Sequence, residues 1–475
     1  MLLFVLLCLV LVGGSDQRRI GDSGEYTAMA YQFARLRPPA PSVADIADID
    51  RHYAGLWDRM EGYQGSVRQY PRLLADGRYD QPHFWIYPLA VAPLVKVAHL
   101  LDVPDTYGFA VFNIALAALA FGVVVRRKGV PAAALLFASP LLWWIDKPHG
   151  EVLVFCLLLL ALLWARDRPH LGLVCMAVLV AHNFSFALAL PVYAGWLALQ
   201  HRRALFDTAR RRWALLAAGV IVVMHPLYYL LRLGVFDPTM LIEDNSFRIP
   251  TVTRLVTPLI DPYVGLLVWW PALFLLACAG GVRRAWSRPL GSRSPAEWAL
   301  VWAPFVLACA VLVGQAQNRQ PASGGTFAMS RYAIWLAPFA VFAFDVAFLR
   351  GRWRSPLAAA ALTASMALSV HVAHPDRPDV WWTLRPTFVA EALLDHAPWA
   401  WNPPPQVFVT REVREFELVR PVANRTCTKL LAVSGVWPAA CPTPKDAPHD
   451  CLASYFCYAN RSGAGYSFVA LREYG

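Results

Sequence analysis

Two acidic residues stand close together near the start of the chain, within Gly21-Asp22-Ser23-Gly24-Glu25-Tyr26. Asp22 and Glu25 are three positions apart, so both carboxylates face the same side if this segment is helical. One carboxylate of such a pair can remove a proton from a hydroxyl group while the other orients the reacting molecule. The simpler alternative is that the two acids cap a helix and lie in water.

A second group of polar residues, Asp146-Lys147-Pro148-His149-Gly150-Glu151, lies between two apolar segments, and His182-Asn183 follows at a later turn. Polar side chains at the ends of apolar segments often line a cavity. We therefore treat His149, Glu151 and His182 as candidate substrate-binding residues. The alternative is that they are ordinary loop residues in contact with water.

Arg331 and Tyr332 begin another apolar segment, and the planar guanidinium group of an arginine suits a phosphate. Alternatively, the Arg331 side chain extends from the end of the apolar segment so that its charge reaches the membrane surface. His83 and Tyr87 lie at the start of the apolar segment 84–101 and are further binding candidates. Aromatic anchoring at a membrane surface would equally explain that pair.

The elements that must position these residues are predicted to be membrane helices. Of the 475 residues, 57% are hydrophobic and only 16% are charged, against about a quarter charged in a typical soluble chain. Apolar blocks predict an all-α polytopic membrane protein with about eleven transmembrane helices. The predicted spans are 2–14, 106–125, 130–145, 150–165, 170–181, 184–200, 213–231, 263–282, 297–314, 332–349 and 356–373. The segment 84–101 is predicted to be an interfacial helix along the outer leaflet.

The net charge of +11 comes mainly from arginines that cluster at the ends of the apolar blocks. This placement is typical of cytoplasmic loops and does not favour nucleic-acid binding. If these clusters lie on the cytoplasmic side of the membrane, the predicted spans place Asp22, Glu25, His149 and the C-terminal region on the outer side. Arg18 and Arg19 also fall outside and run against the rule.

The nine cysteines divide into two groups. Cys8, Cys156, Cys175, Cys278 and Cys309 lie in apolar spans, whereas Cys427, Cys441, Cys451 and Cys457 lie in a polar C-terminal region. The second group predicts two disulfides in an oxidising compartment, and a zinc site is the alternative. Short β-like runs near 407–409 and 467–469 predict a small α/β or β-rich domain over residues 374–475.

The order of these features resembles the GT-C superfamily of membrane glycosyltransferases, which includes protein O-mannosyltransferases and the aminoarabinose transferases that modify lipid A. The resemblance covers about residues 1–373. This chain departs from the family pattern in its first loop: the family often has two adjacent acids there, whereas Asp22 and Glu25 are three positions apart. The resemblance rests on the first span, Gly21–Tyr26, the segment His83–Leu101, Lys147–Glu151, Ala181–Asn183 and Gly324–Pro338.

The resemblance implies a GT-C-like domain over residues 1–373, with the first outer loop at 15–104. It implies a hexosyl- or pentosyltransferase that moves a sugar from a polyprenyl-phosphate donor to a glycan, lipid or protein acceptor, usually with inversion. Asp22 is the expected base, Glu25 would bind acceptor or sugar, and Arg331 would hold the phosphate. No cofactor is expected, and no metal need be invoked, because an arginine can offset the phosphate charge.

Two alternative functions are that of a transporter or flippase of a lipid-linked substrate, and that of a non-catalytic assembly protein with the same fold. No P-loop, G-x-G-x-x-G, H-E-x-x-H or G-x-S-x-G motif supports ATP-driven, dinucleotide or serine-hydrolase chemistry. The abundance of arginine and alanine suggests a GC-rich bacterial genome. The expected location is therefore the bacterial inner membrane, with the site facing the periplasm or cell exterior.

Overall fold

A computed structural model of the chain divides into two compact units. The first contains Met1–Ile249, Ala272–Arg319 and Ile334–Arg377, and the second contains Pro250–Pro271, Gln320–Ala333 and Pro378–Gly475. The second unit thus contains nearly all of the predicted C-terminal domain, together with two segments from earlier in the chain. The structure describes residues 1–15, 22–53, 74–201, 205–242, 250–286, 295–317, 329–345, 387–403, 421–454, 456–462 and 465–471, with 363, 364, 367, 371 and 408.

The first unit is built almost entirely of helices in its described part, together with one two-stranded hairpin. Its first elements are α1 (Leu2–Gly13), α2 (Ser23–Ala34), α3 (Val43–His52), β1 (Leu74–Ala75), β2 (Arg78–Tyr79), α4 (Ile86–Leu100), α5 (Thr106–Lys128), α6 (Val130–Phe137) and α7 (Glu151–Trp164). There follow α8 (Pro169–His182), α9 (Ala189–His201), α10 (Ala209–Leu233) and α11 (Thr239–Ile242).

Further along the chain the helices alternate between the two units. They are α12 (Val252–Ile260), α13 (Leu266–Trp269), α14 (Pro271–Trp286), α15 (Pro295–Gln315), α16 (Arg331–Leu336), α17 (Phe388–His396) and α18 (His449–Leu452). Short 3-10 helices at Pro140–Trp144, Phe184–Phe186 and Ala337–Asp345 extend or connect them. The helical class predicted from the apolar blocks is confirmed for the described residues.

Three described helices are long and apolar enough to cross a membrane: Thr106–Lys128, Ala209–Leu233 and Glu297–Gln315. The prediction of about eleven full-length spans is therefore not met by the described residues. Other predicted spans correspond to shorter apolar helices: Leu2–Gly13, Glu151–Trp164, Pro169–His182, Pro271–Gly280 and Arg331–Phe344. A 14-residue helix rises about 21 Å, less than the roughly 30 Å of bilayer hydrocarbon. Most of the predicted span 356–373 lies outside the described residues.

Prolines explain why two of the predicted spans are interrupted. Helix α6 ends at Phe137, and Ser139, in an extended conformation before Pro140, caps the 3-10 helix that follows. Helix α13 likewise ends at Trp269, just before Pro271 begins α14. The residue before a proline is disfavoured in the α conformation, so apolar composition continues while the helix does not.

Helix α4, predicted to be interfacial, packs against α2 and α5. Tyr87, Val91 and Val95 are buried on one side of it, while Leu89 and Val97 are exposed. The apolar exposed side suits contact with lipid. Its position relative to a membrane stays a prediction.

The second unit contains a four-stranded antiparallel sheet in the order β3 (Val422–Ala423), β4 (Lys429–Val433), β5 (Phe456–Ser462) and β6 (Gly465–Leu471). Side chains alternate between the two faces of the sheet, as in any strand. One face packs Leu431 and Tyr458 against Tyr263 and Leu394, and the other packs Leu430 with Trp437. The small C-terminal sheet predicted from the sequence is confirmed.

Two disulfides, Cys427–Cys441 and Cys451–Cys457, cross-link this unit, with Cα–Cα distances of 5.7 and 5.2 Å. The prediction of two disulfides is confirmed, and the zinc alternative for these cysteines is wrong. The remaining cysteines have free thiols: Cys8, Cys156, Cys175, Cys278 and Cys309.

Candidate functional site

The two acids of the first motif lie at the beginning of helix α2. Asp22 is the N-cap residue, yet its side chain makes no capping hydrogen bond, and Glu25 lies in the first turn. Glu25 is only 8% exposed, so the alternative of a water-exposed acid does not describe it. Nearly the whole of α2 is buried, which holds both carboxylates at defined positions.

His83 joins the two carboxylates. Its Nδ1 lies 2.9 Å from Glu25 Oε2, and its Nε2 lies 3.4 Å from Asp22 Oδ2. The ring therefore contacts one acid through each nitrogen. A histidine between two carboxylates can carry a proton from one to the other.

The segment that carries His83 is held by helix α10. Arg232 Nε donates to both oxygens of Asp80, at 2.9 and 2.8 Å, and Tyr229 Oη donates to the Gln81 carbonyl at 2.9 Å. Asp80 is buried, and its paired oxygens avoid the cost of an unsatisfied buried charge. These bonds anchor the chain a few residues before His83.

His149 and Glu151 approach the same acids from the turn before helix α7. His149 Nε2 lies 3.4 Å from Asp22 Oδ2, and its Nδ1 lies 3.5 Å from Glu151 Oε1. Glu151 is the first residue of α7, where the helix dipole favours a carboxylate. Trp335 Nε1 donates a hydrogen bond to Glu151 Oε2.

Tyr26 forms the aromatic centre of this group. Its ring centroid lies 5.4 Å from that of His83, 5.5 Å from Tyr87, 5.7 Å from His149 and 5.8 Å from His182. These separations are typical of edge-to-face and tilted aromatic contacts. The ring therefore fixes the spacing between side chains that come from α2, α4, α8 and the turn before α7.

Asn113, in the middle of helix α5, supports the turn that carries His149. Its Nδ2 donates to the carbonyl oxygens of Ile145 and Lys147, at 3.3 and 3.1 Å. Tyr87 Oη donates to Asn113 Oδ1 at 3.1 Å. A fully buried amide with these bonds links the α4 and α5 helices to the turn.

A buried ion pair lies within the same turn. Lys147 Nζ lies 2.5 Å from Asp146 Oδ1, both side chains are almost completely buried, and Ser15 Oγ donates to Asp146 Oδ2 at 2.6 Å. The lysine also lies over the Trp143 ring, 5.1 Å from its centroid. Such a satisfied pair can hold the turn in one conformation.

The electrostatics of the site favour proton transfer. Burial raises the pKa of Glu25, the neighbouring His83 opposes this shift, and the nearby charge of Asp22 adds to it. Asp22 is the more exposed of the two acids, with a quarter of its side chain accessible. An accessible carboxylate next to a buried carboxylate with a raised pKa is a suitable pair for acid–base catalysis.

Asp22, Glu25 and His83 also offer ligand atoms within 4.8 Å of one another, so they could hold a divalent cation.

All the predicted site residues other than Arg331 and Tyr332 come together in the first unit. Arg331 and Tyr332 belong to the second unit, where the guanidinium carbon lies 5.6 Å from the centroid of the Tyr332 ring. The glycine-rich stretch before them, 323–325, lies outside the described residues. The phosphate-binding role of Arg331 stays a prediction.

Sequence reasoning missed three contributors to the site: Tyr26, Asn113 and Trp335. Tyr26 is adjacent to Glu25, so its place in the motif was a usable signal. The contact of Trp335 with Glu151 joins residues 184 positions apart, and no local pattern indicates it. Asn113 is a lone polar residue in an apolar helix, a feature that often marks a buried hydrogen-bonding role.

In comparisons with known proteins, no family model, curated protein or solved structure matched this chain.

Proposed function

We propose that this protein is a GT-C-type glycosyltransferase that moves a hexosyl or pentosyl group from a polyprenyl phosphate to an acceptor outside the cytoplasm. The observation that carries the proposal is the meeting of Asp22, Glu25, His83, His149 and Glu151 at one place in the first unit. Three carboxylates and two histidines from distant parts of the chain suit acid–base chemistry on a hydroxyl group.

In the proposed reaction, the acceptor hydroxyl oxygen attacks the anomeric carbon of the sugar, and the bond from that carbon to the phosphate oxygen breaks. The polyprenyl phosphate leaves with the bonding electron pair, and configuration at the anomeric carbon inverts. Asp22 takes the hydroxyl proton because it is the more accessible acid, and the contacting histidines can pass that proton onward. Glu25, with its raised pKa, binds the acceptor or sugar as a hydrogen-bonding group.

The proposal includes a membrane arrangement. It consists of a GT-C-like domain of about eleven spans in the bacterial inner membrane, with the site at the periplasmic or outer surface. The two disulfides support an oxidising compartment for the second unit. A membrane location also places the enzyme where a lipid-linked donor is concentrated.

A flippase or transporter of a lipid-linked substrate is the second candidate. The buried Asp146–Lys147 pair favours it, because ionisable pairs inside membrane proteins often mark substrate or ion pathways. The transferase is preferred because that pair is fully satisfied, whereas Asp22 keeps part of its side chain accessible.

Native mass spectrometry of the purified protein tests the proposal. We expect wild-type protein to retain a polyprenyl phosphate, and Asp22→Asn to retain mainly its sugar-linked form, because substrate then binds without being consumed. The mass difference between the two lipids gives the class of sugar. Asp207→Asn, at an exposed acid, is the matched control and should resemble wild type.

Absence of any polyprenyl phosphate from folded wild-type protein, with added polyprenyl phosphate binding no better than polyprenol, would refute the transferase. Retention of sugar-linked lipid in equal proportion by wild type and Asp22→Asn would refute the role of Asp22 and favour the flippase.

A further inference from the structure

A second group of ionisable side chains lies in the first unit apart from the site described above. His52 is the last residue of α3, His99 lies in the last turn of α4, and Asp105 immediately precedes α5. The three residues therefore join the helix of the first outer loop to the turn between two later helices. None of them takes part in the proposed transfer reaction.

The ligand-capable atoms of the group point toward one another. Asp105 Oδ1 lies 2.9 Å from His99 Nε2 and 3.8 Å from His52 Nε2, and each of the three residues offers a ligand atom within 4.8 Å of those of the other two. Ligands of a tetrahedral zinc ion are separated by about 3.3 Å, given bond lengths of about 2.0–2.1 Å. The two distances from Asp105, 2.9 and 3.8 Å, lie on either side of this value.

The contact between His99 and Asp105 does not satisfy the histidine. Although Nε2 lies 2.9 Å from the carboxylate oxygen, it lacks hydrogen-bonding alignment, and this buried nitrogen has no hydrogen-bond partner. A buried imidazole nitrogen normally finds a partner. An ion between the nitrogen and the oxygen would satisfy both at once.

The surroundings orient the carboxylate and the imidazoles. Tyr53 Oη donates a hydrogen bond to Asp105 Oδ2, which leaves Oδ1 directed at the two histidines. The Tyr31 ring packs against both imidazoles, with centroids 4.7 Å from His52 and 5.6 Å from His99. Supporting contacts of this kind hold metal ligands in place.

The charge of the group also favours a cation. Asp105 is only 2% exposed, and its ion-pair partners among the described residues are the two histidines. A bound cation would neutralise this buried carboxylate with neutral imidazoles as co-ligands.

We propose that His52, His99 and Asp105 bind a zinc ion that cross-links helix α3 to the turn between α4 and α5. Two imidazoles and one carboxylate suit zinc better than magnesium or calcium, which prefer oxygen ligands. His52 is 39% exposed at its side chain, so solvent can reach the ion and supply the fourth ligand as water. The zinc would restrain the first outer loop whether or not the chain is a transferase.

Zinc binding to the full-length protein in detergent tests the proposal. After treatment with a chelator, we expect the protein to take up one equivalent of zinc that is lost in His99→Gln, and zinc should raise the melting temperature of wild type but not of His99→Gln. Tyr53→Phe should weaken zinc affinity by about 10–100-fold, since it removes only the supporting hydrogen bond. His449→Gln, at an exposed histidine of the second unit, is the control and should bind zinc like wild type.

The Asp22–Glu25–His83 group is the competing site, and His83→Gln separates the two. The proposal is overturned if wild type binds no zinc saturably, or if His83→Gln rather than His99→Gln removes the bound equivalent. Should His99→Gln fail to fold, His52→Gln at the more exposed ligand serves instead. Cobalt added to wild type should then give the visible absorption of a four-coordinate nitrogen–oxygen site, and an octahedral spectrum would also count against zinc.

Discussion

Lys429 is a charged residue whose side chain lies almost wholly inside the second unit. It is 3% exposed, and its Nζ donates to the side-chain oxygens of Asn402, at 3.0 Å, and Asn460. Burial lowers the pKa of Lys429 to about 8 from 10.5. Neutral oxygens accept its hydrogen bonds but do not offset a full positive charge, so the ammonium form is disfavoured in the fold.

Between pH 8 and 10.5 the folded protein holds fewer protons at Lys429 than the unfolded chain does. The free energy of unfolding therefore rises with pH across this window, and below pH 8 the full cost of the buried charge remains. We expect wild type to gain about 2–3 kcal/mol relative to Lys429→Met between pH 8 and 10.5. Melting temperatures of both proteins at each pH measure the difference.

Lys445→Met, at an exposed lysine of the same unit, is the control and should show no such pH-dependent difference from wild type. A constant offset between wild type and Lys429→Met from pH 7 to 10.5 would contradict the expectation. Such an offset would mean that only the two hydrogen bonds matter.

Among the elements, the start of α7 shows how closely the helices pack around the site. Gly150 is the N-cap of α7, with φ −73° and ψ −2°, a conformation that any residue adopts. A Cβ atom at this position would nonetheless overlap Nε2 of His182, at the end of α8. The glycine is therefore required for the approach of two helices and not for its backbone freedom.

We expect Gly150→Ala to lower stability by about 1–3 kcal/mol, because the added methyl group displaces the buried His182 ring. Adding His182→Ala to Gly150→Ala should recover part of this loss. Melting temperatures of the single and double variants form a double-mutant cycle.

Gly195→Ala in α9 is the matched control, because nothing lies within 4 Å of a Cβ atom there. It should leave stability unchanged or slightly raise it, since alanine favours helix. Additive effects of Gly150→Ala and His182→Ala would rule out the proposed overlap.

At the scale of the whole molecule, two independent features motivate the orientation proposed above. Arg127, one of three basic residues in the last turn of α5, lies beside Asp167, with its Nη1 2.5 Å from Asp167 Oδ2. Arginine-rich turns of this kind are typical of the cytoplasmic side of a membrane protein. Two disulfides cross-link the second unit, and disulfides are typical of oxidising compartments. The proposed orientation therefore places the arginine-rich turns in the cytoplasm and the second unit outside.

Labelling with a membrane-impermeant maleimide checks this orientation. In a background where the free cysteines are replaced, we expect Asp446→Cys to be labelled in intact spheroplasts and Arg210→Cys only after lysis. Both positions are exposed in the fold, so differences in labelling report sidedness. Labelling of Arg210→Cys alone in intact spheroplasts would reverse the orientation, and the proposed periplasmic site with it.

The sequence by itself determined the helical class, the two acids on one helical face, and the cysteines that form the disulfides. These properties are local: apolar composition favours helix in a membrane, and the three-residue spacing of Asp22 and Glu25 sets their direction within one turn. The disulfides were predicted from four cysteines that lie in one short region. Which of these cysteines pair was not predicted.

Only the tertiary structure decided which distant side chains meet those acids. His83 and His149 reach Asp22 because α4 and the turn before α7 pack beside α2, and Trp335 reaches Glu151 across 184 positions. The same holds for His52, His99 and Asp105, which come from α3, from α4 and from the residue before α5. Helix packing depends on the complementary shapes of whole surfaces, and the local pattern of residues does not encode which surfaces meet.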